Sequence, residues 1–285
     1  MLELRDGREL AWSEAGDPDG SPVLAFHGTP GSRHQLLLDD AAIRGARVRW
    51  IVPDRPGYGL STFQPGRRLV GWADDVAQLA DHLGLDRFSV LGVSGGGPHA
   101  AVCAHRLRTR VAGAAIVSGV APLAEPGAEA GMMPQNRVIT RLARRAPAAN
   151  RVPFGAMARI ARRSPDRMLA MLAKSAPPPD AALLARPDVA EAFRRDLARM
   201  SATSGRAAAQ DFELIAHDWG FRLEDITVPV HVWQADADVN VPPAHARLQA
   251  DAIPGAVLHL VAGEGHLMVV DHLDEILRAL TGTVA

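Results

Sequence analysis

The sequence predicts an α/β protein: a mostly parallel central sheet flanked by helices, with a further set of helices inserted into it. Three observations predict this. Short apolar runs alternate with helical patterns, the order that builds a parallel sheet through crossover helices. The alternation stops at about Pro122 and resumes near Val228. Ahead of that break, a glycine-flanked serine stands directly after an apolar run and directly before a helical segment.

Taken in order, a hairpin is expected around Asp6-Gly7 and a turn at Asp17-Pro18-Asp19-Gly20. The strand candidates are Val23–Phe26, Val48–Val52, Phe88–Gly92, Ala114–Ser118, Val230–Gln234 and Val257–Val261. Between the second and third, Leu69, Trp72, Val76, Leu79 and Leu83 recur at spacings of three and four, which marks one face of an amphipathic helix. Pro98–Leu107 and Asp271–Leu280 read as further helices. Residues 122–218 hold no convincing strand and are rich in Ala, Arg and Met with several Pro breaks, so they read as a helical cap or lid on a core formed by residues 1–121 and 219–285. Pro177-Pro178-Pro179 reads as a stiff turn between two cap helices. Six of the eight methionines fall in this segment, where they either line a pocket for apolar groups or fill a helical core. Its basic residues outnumber its acidic ones, which fits either a solvated face or an anionic substrate.

A chain of 285 residues suits one large domain with an insertion and can bury a good core. The net charge of −1 gives no bias toward nucleic acid or an anionic membrane, so the expected partner is a small molecule. Oligomeric state is not legible. The lone cysteine, Cys103, cannot form an internal disulfide, the N-terminus lacks a signal-peptide pattern, and no run reaches the roughly 18 apolar residues of a membrane span. The expectation is therefore a cytoplasmic protein. The basic residues are almost all Arg, the usage of a GC-rich bacterial genome.

The serine motif is Gly92-Val93-Ser94-Gly95-Gly96. A serine on a sharp strand-to-helix turn projects its hydroxyl from the sheet, and flanking glycines admit the tight backbone. About 0.1 such motifs would arise by chance in a chain of this composition, so the weight comes from the strand before it and the helix after it. The Gly95 amide would then sit at a helix N-terminus, able to donate to a developing oxyanion. His27-Gly28-Thr29-Pro30-Gly31 follows an earlier strand, and its turn can present the Thr29 amide as a second donor. The candidate base is His266, in Gly263-Glu264-Gly265-His266 beyond the last apolar run. Among competing histidines, His99 points away from Ser94 on the following helix, His27 packs within its turn, and His105, His231, His245 and His259 read as surface or packing residues. His272 reads as solvated. Asp236 and Asp238, after the strand at Val230–Gln234, both offer the carboxylate that would orient the base. The resulting order is Ser, Asp, His.

These residues resemble the α/β-hydrolase superfamily over nearly the whole chain. The resemblance rests on the H-G-x-P-G turn at His27–Gly31, the D-R-P-G-x-G-x-S segment at Asp54–Ser61, and the lid region at Pro122–Asp218. In such relatives the acid precedes a Val-Pro dipeptide by three residues, so Val241-Pro242 selects Asp238 over Asp236. The resemblance implies a serine esterase: Ser94, Asp238 and His266 as a triad, Thr29 and Gly95 as oxyanion donors, and no cofactor or metal. Asp54 and Arg55 read as a structural ion pair bracing the site. Dehalogenases and epoxide hydrolases of this kind carry Asp at the place of Ser94, and the related peptidases show Trp-Gly-Gly after the elbow where this chain has Gly95-Gly96-Gly97. Carboxylic ester hydrolysis is therefore the favoured activity. Its rivals on the same scaffold are a C–C bond hydrolase, a cofactor-free lyase, cyclase or oxygenase, and a non-catalytic small-ligand binder.

Overall fold

The computed structural model describes residues 1–37, 40–125, 127–200 and 203–282. A short hairpin, β1 (Leu2–Glu3) and β2 (Glu9–Leu10), turns at Asp6-Gly7 as expected. The main sheet is built from β3 (Trp12–Gly16), β4 (Ser21–Phe26), β5 (Val48–Pro53), β6 (Phe88–Val93), β7 (Val111–Val117), β8 (Val230–Ala235) and β9 (Val257–Val261). Its order is β3-β5-β4-β6-β7-β8-β9, with β3 antiparallel to β5 and every other pair parallel. All six predicted strands are present, β9 with the expected bounds and the others with one or both ends shifted by up to three residues. The edge strand β3 escaped the sequence reading because Trp-Ser-Glu-Ala-Gly carries one exposed and three half-buried residues and has no apolar run.

Alternating residues of the central strands feed two separate layers, as a sheet covered on both faces requires. In β4, Leu24 and Phe26 join the layer packed by α2 (Trp72–His82), α3 (Gly97–Arg106) and α10 (Pro243–Ala252), through Leu79, Val102 and Ile253. Val23 and Ala25 join the opposite layer, packed by α1 (Asp40–Gly45) and α11 (Val269–Thr281) through Ile43, Leu273 and Ile276. Each fully buried Leu, Ile or Val contributes about 1.5–3 kcal/mol. The sheet is therefore rigid where its strands end.

Between β7 and β8 the described residues contain helices and no strand: α4 (Pro134–Arg145), α5 (Arg151–Arg163), α6 (Pro165–Ser175), α7 (Pro178–Leu184), α8 (Pro187–Ala198) and α9 (Ser204–Ala216). The proline run separates α6 from α7, with Pro178 in the first turn, where its missing N–H costs no hydrogen bond. These helices have a small apolar core of their own, including Met168, Leu184, Leu197 and Met200. No helix among the described residues is long and apolar enough to cross a membrane.

Candidate active site

Four chain segments meet beyond the carboxyl ends of the parallel strands, the place where open α/β sheets bind ligands. Ser94 follows β6 at the start of a 3-10 turn that runs into α3. Its φ of 55° is left-handed, a conformation costly for a residue with a side chain and held here by the strand and helix on either side. The flanking glycines are required by contact: a methyl group on Gly92 would strike the Gly96 carbonyl, and one on Gly96 would strike the Phe26 carbonyl.

The His27–Gly31 turn lies against this elbow. A methyl on Gly28 would stand 3.5 Å from Ser94 Cβ, and one on Gly95 would stand 3.2 Å from the Thr29 amide nitrogen. The two candidate oxyanion donors, Thr29 and Gly95, are thus neighbours beside the candidate nucleophile. His27 is buried and stays within its turn, its Nδ1 paired with the Gly28 carbonyl at 2.9 Å and its Nε2 accepting the Arg55 amide at 3.3 Å.

His266 Nδ1 lies 2.8 Å from Asp238 Oδ2. A carboxylate only accepts, so Nδ1 carries the proton and Nε2 keeps its lone pair. Asp238 is itself fixed by the Asn240 and Val241 amides at 2.8 and 2.9 Å and by Gln234 Nε2 at 3.0 Å. Asp236 is engaged elsewhere, accepting the Gly263 amide at 2.7 Å. Burial pulls the His266 pKa down, but the charge and hydrogen bond of Asp238 outweigh it, with help from Asp180, and the net shift is upward. Ser94 and His266 line one cavity of about 320 Å³. No hydrogen bond joins them among the described residues; such contacts are often long without substrate and tighten when it binds.

Residues 21–273 match the family model described as the alpha/beta hydrolase fold. The chain belongs to that family. It is similar to an uncharacterized hydrolase of Bacillus subtilis (strain 168), with 28% identity over 279 residues that cover 92% of this chain and 90% of that one. A probable proline iminopeptidase of Streptomyces coelicolor is 32% identical over 108 residues, a match that spans only 34% of this chain and 32% of the peptidase. Among solved structures, a hydrolase from Pseudomonas aeruginosa PA01 superposes with a TM-score of 0.73 at 22% identity, covering 99% of this chain and 97% of that one.

In this α/β-hydrolase-fold chain the Asp54–Arg55 segment does brace the site, but not as the expected pair. Asp54 pairs with Arg33, and Arg55 pairs with Asp211 of α9 at 2.8 Å. The two neighbours thus serve different partners and not each other. Arg55 also donates to the His27 carbonyl, to the Gly28 carbonyl at 3.0 Å and to Thr29 Oγ1 at 2.8 Å. The guanidinium thereby holds the candidate oxyanion turn.

Asp180 and Asp196 went unmarked in the sequence, and two histidines sit differently from a plain surface reading. Asp180, in the first turn of α7, accepts the amides of His266 at 3.1 Å and Leu267 at 2.9 Å. Asp196 of α8 lines the cavity and accepts Ser32 Oγ at 2.5 Å. His245, read as surface or packing, is fully buried on the cavity wall, where Nδ1 accepts the Ala121 amide at 3.0 Å and burial holds its pKa down to about 4. His272, read as solvated, is half-buried and paired with Glu264 at 2.8 Å. Asp180 had a legible signal, an acid in the first turn after a proline start. Its removal has a defined consequence: Asp180→Ala leaves two amides of the base loop without acceptors, a cost of about 1–3 kcal/mol each where buried. The expected result is a roughly tenfold lower kcat from misplacement of His266, read by steady-state kinetics beside a melting curve.

Proposed function

We propose that this chain is a serine hydrolase that cleaves a carboxylic ester, or a related acyl bond, of a small and largely apolar substrate. The observation that carries the reading is His266, held by Asp238 at 2.8 Å and standing on the wall of the cavity that the strained Ser94 also lines. In this mechanism His266 Nε2 takes the Ser94 proton as Oγ bonds to the substrate carbonyl carbon, and the carbonyl electrons move to oxygen. The Thr29 and Gly95 amides hydrogen-bond that oxyanion. Collapse breaks the bond to the leaving alcohol, which receives the proton from His266. Water then attacks the acyl-enzyme with the same base and releases the acid. Residues 122–218 act as the cap. Met132, Met133, Met157, Met168 and Met200 line the cavity, a soft apolar wall suited to varied acyl groups, and Met168 and Met200 serve the cap core as well. The cap arginines do not favour an anionic substrate: among the described residues no Arg or Lys lines the cavity, and Arg144, Arg186 and Arg194 pair with carboxylates instead.

A fluorophosphonate probe tests the assignment, because it requires an activated serine but no knowledge of the substrate. Labelling is expected at Ser94 and nowhere else, and is expected to be lost in His266→Ala. Only the neutral imidazole can take the proton. With the pKa of His266 raised above the ordinary 6.5, the labelling rate should rise with pH through a midpoint above that value. A protein left unlabelled at every pH would instead favour a fold relative that only binds its ligand.

A further inference from the structure

Among the described residues, the cavity wall holds two carboxylates and no Arg or Lys. Asp180 is committed to the backbone of the base loop. Asp196 is not. It lies on α8, among the apolar side chains of Phe193, Leu197 and Met200 that line the same cavity, and is almost completely buried. Its one side-chain hydrogen bond among the described residues comes from Ser32 Oγ at 2.5 Å, and no Arg, Lys or His pairs with it. Ser32 accepts the His34 amide on the same Oγ at 3.3 Å, so its hydroxyl proton is free to point at Asp196. The charge that acts on it, that of Asp54, is negative, and the cation beside Asp54, Arg33, is paired with Asp54. Burial and the Asp54 charge push the Asp196 carboxyl up to about 7.

A buried carboxylate without a counter-charge is costly, and the cost is relieved either by a proton or by a hydrogen-bond donor that enters the pocket with a ligand. Ser32 alone does not compensate it fully, because its hydroxyl and its amide satisfy two of about four acceptor positions. We propose that Asp196 is the recognition point for a hydrogen-bond-donating group, an ammonium or a hydroxyl, carried by the substrate at a distance from its scissile carbonyl. This rests on the reading of the cavity as the Ser94 substrate site. It refines that reading: the substrate is apolar along the methionine-lined stretch and polar at the end that meets α8. Ser32 lies three residues beyond Thr29 in the loop of the candidate oxyanion turn, so the same loop would hold both ends of the substrate in register. An anionic end group is disfavoured by the same carboxyl.

Binding, separated from turnover, tests it. In the Ser94→Ala protein, calorimetry is run with ethyl alkanoates of graded chain length, each in three forms that end in methyl, hydroxyl or ammonium. An ammonium is strongly disfavoured in an apolar cavity that lacks a carboxylate, so a preference for it is diagnostic. At the chain length that reaches α8, the donor-ended ester is expected to bind about tenfold or more tightly than the methyl-ended one. That ratio should collapse in Asp196→Asn, which keeps the side-chain shape. A preference confined to the ammonium form identifies an amine substrate, and equal preference for the hydroxyl form identifies a hydroxylated one. Tighter binding of the methyl-ended ester at every length would overturn the proposal without any variant being needed. So would a donor preference that survives Asp196→Asn unchanged. Loss of Ser94-dependent turnover in the unmodified protein would instead strike the hydrolase reading, and leaves these binding ratios to stand or fall separately.

Discussion

Ser94→Ala is expected to lower kcat by about 10³- to 10⁶-fold on the best substrate found in a screen of p-nitrophenyl esters of graded chain length. The size follows from what is removed. Without Oγ no acyl-enzyme forms, and the residual rate reflects water attack assisted only by His266 and the Thr29 and Gly95 amides. The fold should be nearly indifferent. Serine and alanine share the cost of the 55° φ, so a melting curve should overlay that of the unmodified protein within a few degrees. His266→Ala is expected to cost a similar factor, and the double variant should be little worse than either single one, because the two side chains act as a unit. Near-normal turnover by Ser94→Ala would sink the nucleophile assignment. It would move the reaction to the lyase, cyclase or oxygenase class, in which His266 is the base and no covalent intermediate forms.

The sheet was legible because its strands are buried on both faces: Val23–Phe26, Phe88–Gly92 and Ala114–Ser118 are apolar runs that only a covered parallel sheet accommodates. Where that signature lapses the reading failed. The half-exposed β3 has no run, and α10 mixes apolar and polar residues without a clean face. The site divides in the same way. Ser94, His266 and the Thr29 turn sit in short motifs whose glycines report the local backbone. Asp180, Asp196 and Asp211 work through partners far away in the chain: 86 residues from Asp180 to His266, 164 from Ser32 to Asp196, and 156 from Arg55 to Asp211. No local pattern encodes such a pairing. Asp54 and Arg55 show the hazard, since adjacency in sequence suggested a pair whereas each is held by a different partner, Arg33 and Asp211.

Asp211→Ala should be the most destabilising single change at the junction of α9 with the sheet domain. The carboxylate is fully buried and accepts from Arg55 at 2.8 Å, Tyr58 at 2.8 Å, Thr29 Oγ1 at 3.0 Å and Arg67. Its truncation strands two buried guanidinium groups, and breaking a buried pair in this way costs about 3–5 kcal/mol, or roughly 10 °C in melting temperature for a chain of this size. Burial alone would raise the Asp211 pKa, but the Arg55 and Arg67 charges prevail and hold it well below the usual carboxylate range. The sign of the pH effect follows. The folded pKa is depressed, so the stabilisation is complete above the ordinary carboxylate value of 3.8 and fades as the pH falls from there toward the folded pKa. The stability difference between the two proteins should therefore be full at neutral pH and narrow only in strong acid, which denaturant melts at several pH values would read. Activity should suffer by a second route. Arg55, relieved of its partner, no longer fixes the His27 and Gly28 carbonyls and the Thr29 hydroxyl, so the Thr29 amide loses its aim at the oxyanion. A tenfold to hundredfold fall in kcat is expected at a temperature where the variant is still folded, with KM changing less, since the oxyanion exists only after attack. An unchanged kcat in folded Asp211→Ala would confine this cluster to holding the helices on the sheet.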